Sequence, residues 1–195
     1  VSDLHPIRHR NHGVGGLEHK KRKWNSRGLA LAAMLAATYA AYVVLFGFAS
    51  FAVLQFRIVD ALLPLSVLFG FPAVAGLTIG VFVGNFLSPY SLGAIDVVGG
   101  TVANFVAATL AWLIGGRGFK GAWITAVLVE IATVTVIVGS YVVVITTPAG
   151  VPLWAGWLLF LGGEVLPIGI IGYPLLRAVE RSGVTKTFKT GENPS

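Results

Sequence analysis

The sequence predicts an all-α integral membrane bundle of six transmembrane helices with both termini in the cytoplasm. Three observations carry that expectation. Of the 195 residues, 55% are hydrophobic and only 11% are charged, whereas a soluble domain carries about 25% charged residues to face water; the mean hydropathy is +0.82. The charges crowd into residues 1–28 and 177–195 and leave an almost wholly apolar middle, the distribution of a chain surrounded by lipid. The basic residues, finally, fall on one side of the spans that the apolar runs define.

Residues 1–28 read as a polar, basic cytoplasmic tail. They lack the short apolar core and cleavage site of a secretory signal. The first span runs from Leu29 to about Phe48, matching the roughly 20 residues that cross a bilayer as helix. A less regular stretch follows from Gly47 to Arg57. The second span, Ile58 to Phe69, is short and holds Pro64; Gly70, Phe71 and Pro72 break it. The third runs from Ala73 to Leu87 and ends in a loop marked by Ser88, Pro89, Tyr90 and Gly93. The fourth covers Ile95 to Ile114, closed by a turn containing Gly115, Gly116, Arg117, Gly118 and Lys120. The fifth covers Ala122 to Ile145, before the breakers Pro148, Gly150 and Pro152. The sixth covers Leu153 to Leu176. The transmembrane, substrate-binding domain is thus expected over 29–178, with a second basic tail over 179–195. Spans two and three are short enough that a re-entrant hairpin is the alternative.

Charge fixes the expected orientation. With the N-terminus inside, Lys and Arg at 8, 10, 20, 21, 22, 23, 27, 117, 120, 177, 181, 186 and 189 are cytoplasmic, and of the 14 basic residues only Arg57 is outside. The net charge of +6 therefore reads as a topology signal rather than a nucleic-acid surface. The absence of cysteine excludes disulfides, thiolate nucleophiles and cysteine metal sites. His5, His9, His12 and His19 sit in the solvated tail, and no metal site or cofactor is expected in the chain.

Polar side chains at membrane depth are costly and mark function. Here they are Gln55, Arg57, Asp60, Asn85, Asp96, Asn104, Glu130 and Glu164. They occupy the outer half or the midplane of the spans, which suggests a cup open to the outside. Structural alternatives stand beside the functional ones. Arg57 and Asp60, three apart, can neutralise each other. Asp96 suits a helix N-terminus, and Asn104 suits a helix–helix hydrogen bond. Glu130 and Glu164 have no basic residue at their depth, so they need a cation, a proton, a polar ligand or each other. Phe48, Phe51, Phe56, Phe86, Tyr90, Tyr141, Trp154 and Trp157 surround this depth. Interfacial aromatics account for most; Trp154 and Trp157, one turn apart above Glu164, are placed to stack a flat ligand. In span one, Ala32, Ala36 and Ala40 form a small-residue stripe beside a second stripe of Ala33, Ala37 and Ala41. Such stripes let another helix approach closely, either within the chain or from a separate membrane subunit.

No reactive constellation appears in the spans, which hold no His or Cys, so an enzyme is not expected. The turn at 115–118 lacks the phosphate-binding GxxxxGK[ST] pattern, so energy for transport must come from a partner or a gradient. The chain shows no convincing internal repeat, which counts weakly against transporter folds built from inverted repeats.

Four stretches carry a resemblance: QFRIVDALLPL (Gln55 to Leu65), FPAVAGLTIG followed by Asn85 (from Phe71), DVVGGT (Asp96 to Thr101) and GGEVLPIGIIGYPLL (Gly162 to Leu176). In order and spacing they resemble the queuosine-precursor transporter family QueT, substrate-binding S-components of energy-coupling-factor importers, over about residues 30–178. The resemblance implies a six-helix S-component in the plasma membrane. On that resemblance it is expected to capture a scarce micronutrient, a queuosine or archaeosine precursor, and to dock to a transmembrane coupling subunit and an ATPase pair that uses ATP. Alanine stripes on the first helix match such docking. The family usually has glutamate where this chain has Asp60, and an asparagine in span five where this chain has Glu130 nearby. Glu164 or Glu130 would hold a guanine-like edge, Asn85, Asn104 and Gln55 its carbonyl side, and a Trp face its ring. An S-component for another vitamin or amino acid and a stand-alone permease using Glu130 or Glu164 as proton site remain the alternatives.

Overall fold

A computed structural model describes residues 26–50, 57–146 and 152–185. Gln55, Phe51, Phe56, the four histidines and the basic residues of both tails beyond these limits lie outside the described residues. Among the described residues seven helices follow in order: α1 (Ser26–Leu45), α2 (Gly47–Ser50), α3 (Ile58–Phe69), α4 (Phe71–Leu87), α5 (Ala94–Gly115), α6 (Ala122–Thr146) and α7 (Leu153–Arg181). No strand occurs among the described residues. The chain is a helical membrane protein: α1, α5, α6 and α7 are long and apolar enough to cross a bilayer, and α3 and α4 are shorter apolar helices. Large apolar side chains such as Met34, Val98, Leu128, Val144 and Ile170 are exposed on the outside of the bundle, as lipid contact requires.

Two helices depart from α geometry. In α3 the stretch Ile58–Leu65 is a 3-10 helix, continued as α from Ser66 to Phe69. Pro64 has no N–H to return to the carbonyl four residues back. Gly70 ends α3 at φ +64, a left-handed value that favours glycine. In α7 the stretch Val165–Gly172 is a π-helix between two α segments. It contains Pro167, which likewise donates nothing, and such wide turns recur at functional sites. The tight and the wide segments pack on each other: a Cβ added to Gly172 would stand 2.9 Å from the Ala61 carbonyl oxygen and 3.0 Å from Pro64 Cγ.

α3 is the hub of the bundle. Val59, Asp60, Ala61, Leu63, Pro64, Leu65 and Ser66 are all buried, and the 3-10 segment touches α1, α4, α5, α6 and α7. Around it, α1 packs on α4, α4 on α5, α5 on α6 and α6 on α7.

The α1–α4 contact corrects one expectation. Gly76, Gly80 and Gly84 of α4 lie against Ala32, Ala36 and Ala40 in matching register, each within 3.3 Å of the alanine's backbone from an added Cβ. The Ala32–Ala36–Ala40 stripe is therefore consumed inside the chain, because it meets a glycine stripe of the same four-residue period. Ala33, Ala37 and Ala41 remain exposed on α1.

The same register shows that α1 and α4 run parallel. Arg27, Arg117, Lys120, Arg177 and Arg181 consequently lie at one end of the bundle. Among the described residues Glu180 is the one carboxylate there.

Candidate functional site

The polar side chains converge on α3. Asp60 in its first turn is 1% exposed and accepts a hydrogen bond from the Tyr39 hydroxyl of α1. That hydroxyl accepts in turn from Asn104 Nδ2 of α5 at 3.0 Å. On the other side the carboxyl group of Asp60 lies beside that of Glu164 of α7. The chain Asn104–Tyr39–Asp60–Glu164 thus crosses four helices through one buried layer. Arg57, immediately before α3 and buried, lies in electrostatic reach of Asp60 and Asp96 and of the hydroxyls of Tyr39 and Tyr141.

Two flanks complete the network. On one, Ser66 Oγ donates to Glu130 Oε1 of α6 at 3.4 Å. On the other, Asp96 accepts from Tyr141 Oη at 2.8 Å and from the Leu92 backbone N–H at 2.7 Å. Asn85 Nδ2 donates to the Asp96 carbonyl oxygen at 2.8 Å, so both Asp96 and Asn85 fasten the α4–α5 turn. The N-cap of α5 is Gly93, with no side-chain cap hydrogen bond, so Asp96 is not the N-cap expected; from three residues inside the helix it reaches back to the Leu92 N–H ahead of it.

Within this network three acceptors have no protein hydrogen-bond partner: Glu130 Oε2, Glu164 Oε2 and Asn85 Oδ1. Glu130 is 0% and Glu164 2% exposed. A buried acceptor left unpaired costs on the order of 1–3 kcal/mol, more when charged, so these oxygens mark where a donor belongs. Among the described residues the network holds four carboxyl groups (Asp60, Asp96, Glu130, Glu164) against one guanidinium. That imbalance suits a cationic or donor-rich ligand.

Arg57, Asp60, Asn85, Asp96, Asn104, Glu130 and Glu164 are all buried inside the bundle, but at different depths: Glu130 and Tyr141, the partner of Asp96, are eleven residues apart on α6, about 16 Å along the axis. Three expectations change. All seven side chains are buried, so they form an enclosed network, not walls of an open cup; they satisfy one another across helices instead of facing water. Asn85 and Asn104 each already commit one of their two amide N–H donors within the protein, and Asn85 Oδ1 is an unpaired acceptor, so the pair is not the free carbonyl-reading set expected. Trp154 is 61% exposed and does not stack above Glu164. Ten residues of α helix turn it about 80° away from Glu164, whereas Trp157 lies within about 20°. Trp157 is half-buried, and its Nε1 donates to Ser140 Oγ at 3.0 Å. Gln55 lies outside the described residues.

Tyr39, Ser66 and Tyr141 are the side chains that sequence reasoning did not assign to the site. Tyr39 left a faint signal. It continues the buried stripe Leu31, Leu35, Tyr39, Val43, in which a hydroxyl needs a partner.

A family model described as QueT transporter matches residues 29–181 of the chain. No curated protein and no solved structure matches it.

Proposed function

Since the chain belongs to the QueT transporter family, we propose that it is the substrate-capture component of a micronutrient importer. Its ligand on this reading is a queuosine or archaeosine precursor of the deazaguanine type. The ligand passes to a transmembrane coupling subunit and its ATPase pair. Six spans with both ends cytoplasmic go with this reading, supported by the five basic residues and single carboxylate that, among the described residues, lie at one end.

The observation that carries the proposal is the pair of buried, half-unpartnered carboxyl groups of Glu130 and Glu164. A guanine-like edge offers adjacent N–H donors of the kind a carboxylate accepts. An aminomethyl ammonium, where the ligand has one, suits the second carboxylate. Trp157, on the Glu164 face of α7, offers a ring to stack on. An S-component for another vitamin or amino acid would use the same carboxylates with a different donor pattern.

One observation favours a second reading, a stand-alone proton-coupled permease. Asp60 and Glu164 set two buried carboxyl groups side by side, an arrangement in which like-charge repulsion favours one of them carrying a proton.

Native mass spectrometry of the purified protein, followed by thermal shift against a panel of deazapurines and vitamins, tests the ligand. A vitamin retained in place of a deazapurine selects the alternative S-component. Uptake into vesicles that hold this chain and no ATPase, collapsed by a protonophore, selects the permease.

A further inference from the structure

We propose that the basic end of the bundle holds a binding site for the headgroup of an acidic phospholipid, seated on Arg177 between α6 and α7. A pocket of about 310 Å³ lies there, walled by Phe119, Ala122, Trp123, Ile124, Tyr173 and Arg177. That volume is at the lower end of clefts that hold ligands. Its wall at Trp123 is about two helical turns from Glu130 on α6, and its occupancy does not depend on what the buried carboxyl groups bind.

Position, chemistry and field agree on the occupant. The pocket sits where α6 begins and the last turns of α7 emerge, the depth at which lipid headgroups meet interfacial aromatics. Its one cation is already oriented. The Arg177 guanidinium lies over the Trp123 ring, 5.2 Å from its centroid, and one nitrogen donates to Glu180 at 3.0 Å. A guanidinium has five N–H donors in a planar fork, so this single bond leaves donors for a phosphate, which the fork grips in bidentate fashion. Arg27, Arg117, Lys120 and Arg181 add positive charge at the same end, against Glu180 alone among the described residues. Basic pockets between membrane helices recruit anionic headgroups for this reason.

A lipid fits better than a soluble anion because the rest of the wall is apolar. Phe119 and Ile124 are about half exposed, and a free phosphate has nothing to lay on them. A phospholipid places its glycerol and first methylenes there while its phosphate meets Arg177.

The test is native mass spectrometry of the full chain with equimolar phosphatidylglycerol and phosphatidylcholine. The expected result is phosphatidylglycerol retention about fivefold above phosphatidylcholine, the effect of one cation at an anionic surface. Arg177→Gln should erase that preference, Arg177→Lys should keep part of it, and Trp123→Leu, which removes the surface under the guanidinium, should weaken it. Arg181→Gln, one turn away and outside the pocket, should keep it. Equal retention of both lipids overturns the proposal. So does an equal loss from Arg181→Gln and Arg177→Gln, which would indicate a diffuse basic surface. Displacement by soluble glycerol phosphate at matched concentration also overturns it, since the site would then hold a free anion.

Discussion

A Cβ placed on Gly80 would stand 2.9 Å from the carbonyl oxygen of Ala36 and 2.6 Å from Tyr39 Cβ. α4 and α1 therefore touch backbone to backbone at the level of the site, and neither obstacle is the flexible end of a side chain. Gly80→Val should overpack this contact at a cost of about 1–3 kcal/mol. For a chain of this size that lowers the melting temperature by roughly 2–12 °C. Gly162→Ala is the control, because a Cβ there meets nothing within 4 Å; its melting temperature should equal or slightly exceed wild type, since alanine suits a helix better than glycine. A Gly80→Val protein as stable as that control would mean the two helices do not meet in this way.

The hydroxyl of Tyr39 joins Asn104 to Asp60. Tyr39→Phe removes one hydroxyl and leaves two buried polar groups each short of a partner, a penalty on the order of 1–3 kcal/mol. Groups that share a partner are not additive. Asn104→Ala should consequently cost less in the Tyr39→Phe background than in wild type, as measured by thermal unfolding of the four proteins in the cycle. Strict additivity would show that the hydroxyl does not link them.

Glu130→Gln and Glu164→Gln keep shape while removing charge and one acceptor. A hydrogen bond to a charged group contributes about 1.5–3 kcal/mol, so each change should weaken ligand binding by roughly 10–100-fold, read by calorimetry. Trp154→Ala should leave affinity unchanged, because that ring is exposed away from the layer. Wild-type affinity in both glutamine variants would remove these residues from the site.

Much of this was legible in the sequence for identifiable reasons. The apolar runs and Gly–Pro breaks placed α5 and α6 to within a residue or two, as at Ala122–Thr146, because lipid leaves a backbone little choice but helix. Asp60, Glu130 and Glu164 stood out because charge at membrane depth needs a reason. The 3-10 and π segments were not legible. Pro64 and Pro167 are visible, but whether a proline tightens, widens or kinks a helix depends on what packs around it. Nor does the spacing of Trp154 and Trp157 reveal which one faces Glu164. The two alanine stripes of α1 are alike in composition, and only the glycine stripe at 76, 80 and 84 decides which is covered.

That difference between the stripes separates folding from docking. Ala36 faces α4, so Ala36→Leu should destabilise the chain itself, with a lowered melting temperature. Ala37 is exposed, so Ala37→Leu should leave stability and ligand binding intact while reducing co-purification with an energy-coupling module. Undiminished co-purification of Ala37→Leu would take the exposed stripe out of the docking surface.

Topology follows from the register of α1 and α4. Five residues before the Ala32–Gly76 contact stand Arg27 and Phe71, and because the helices run parallel these two are level. α4 therefore begins at the depth where α1 begins, which favours α3 and α4 as full crossings over a re-entrant hairpin that turns back at mid-membrane. The chain has no cysteine, so single cysteines report depth without background. With the basic end cytoplasmic, Tyr90→Cys should react with an impermeant maleimide from outside intact cells. Lys120→Cys and Phe71→Cys should react only after the inner face is opened. A hairpin would leave Phe71→Cys unlabelled from both sides, and an inverted bundle would exchange the behaviour of positions 90 and 120.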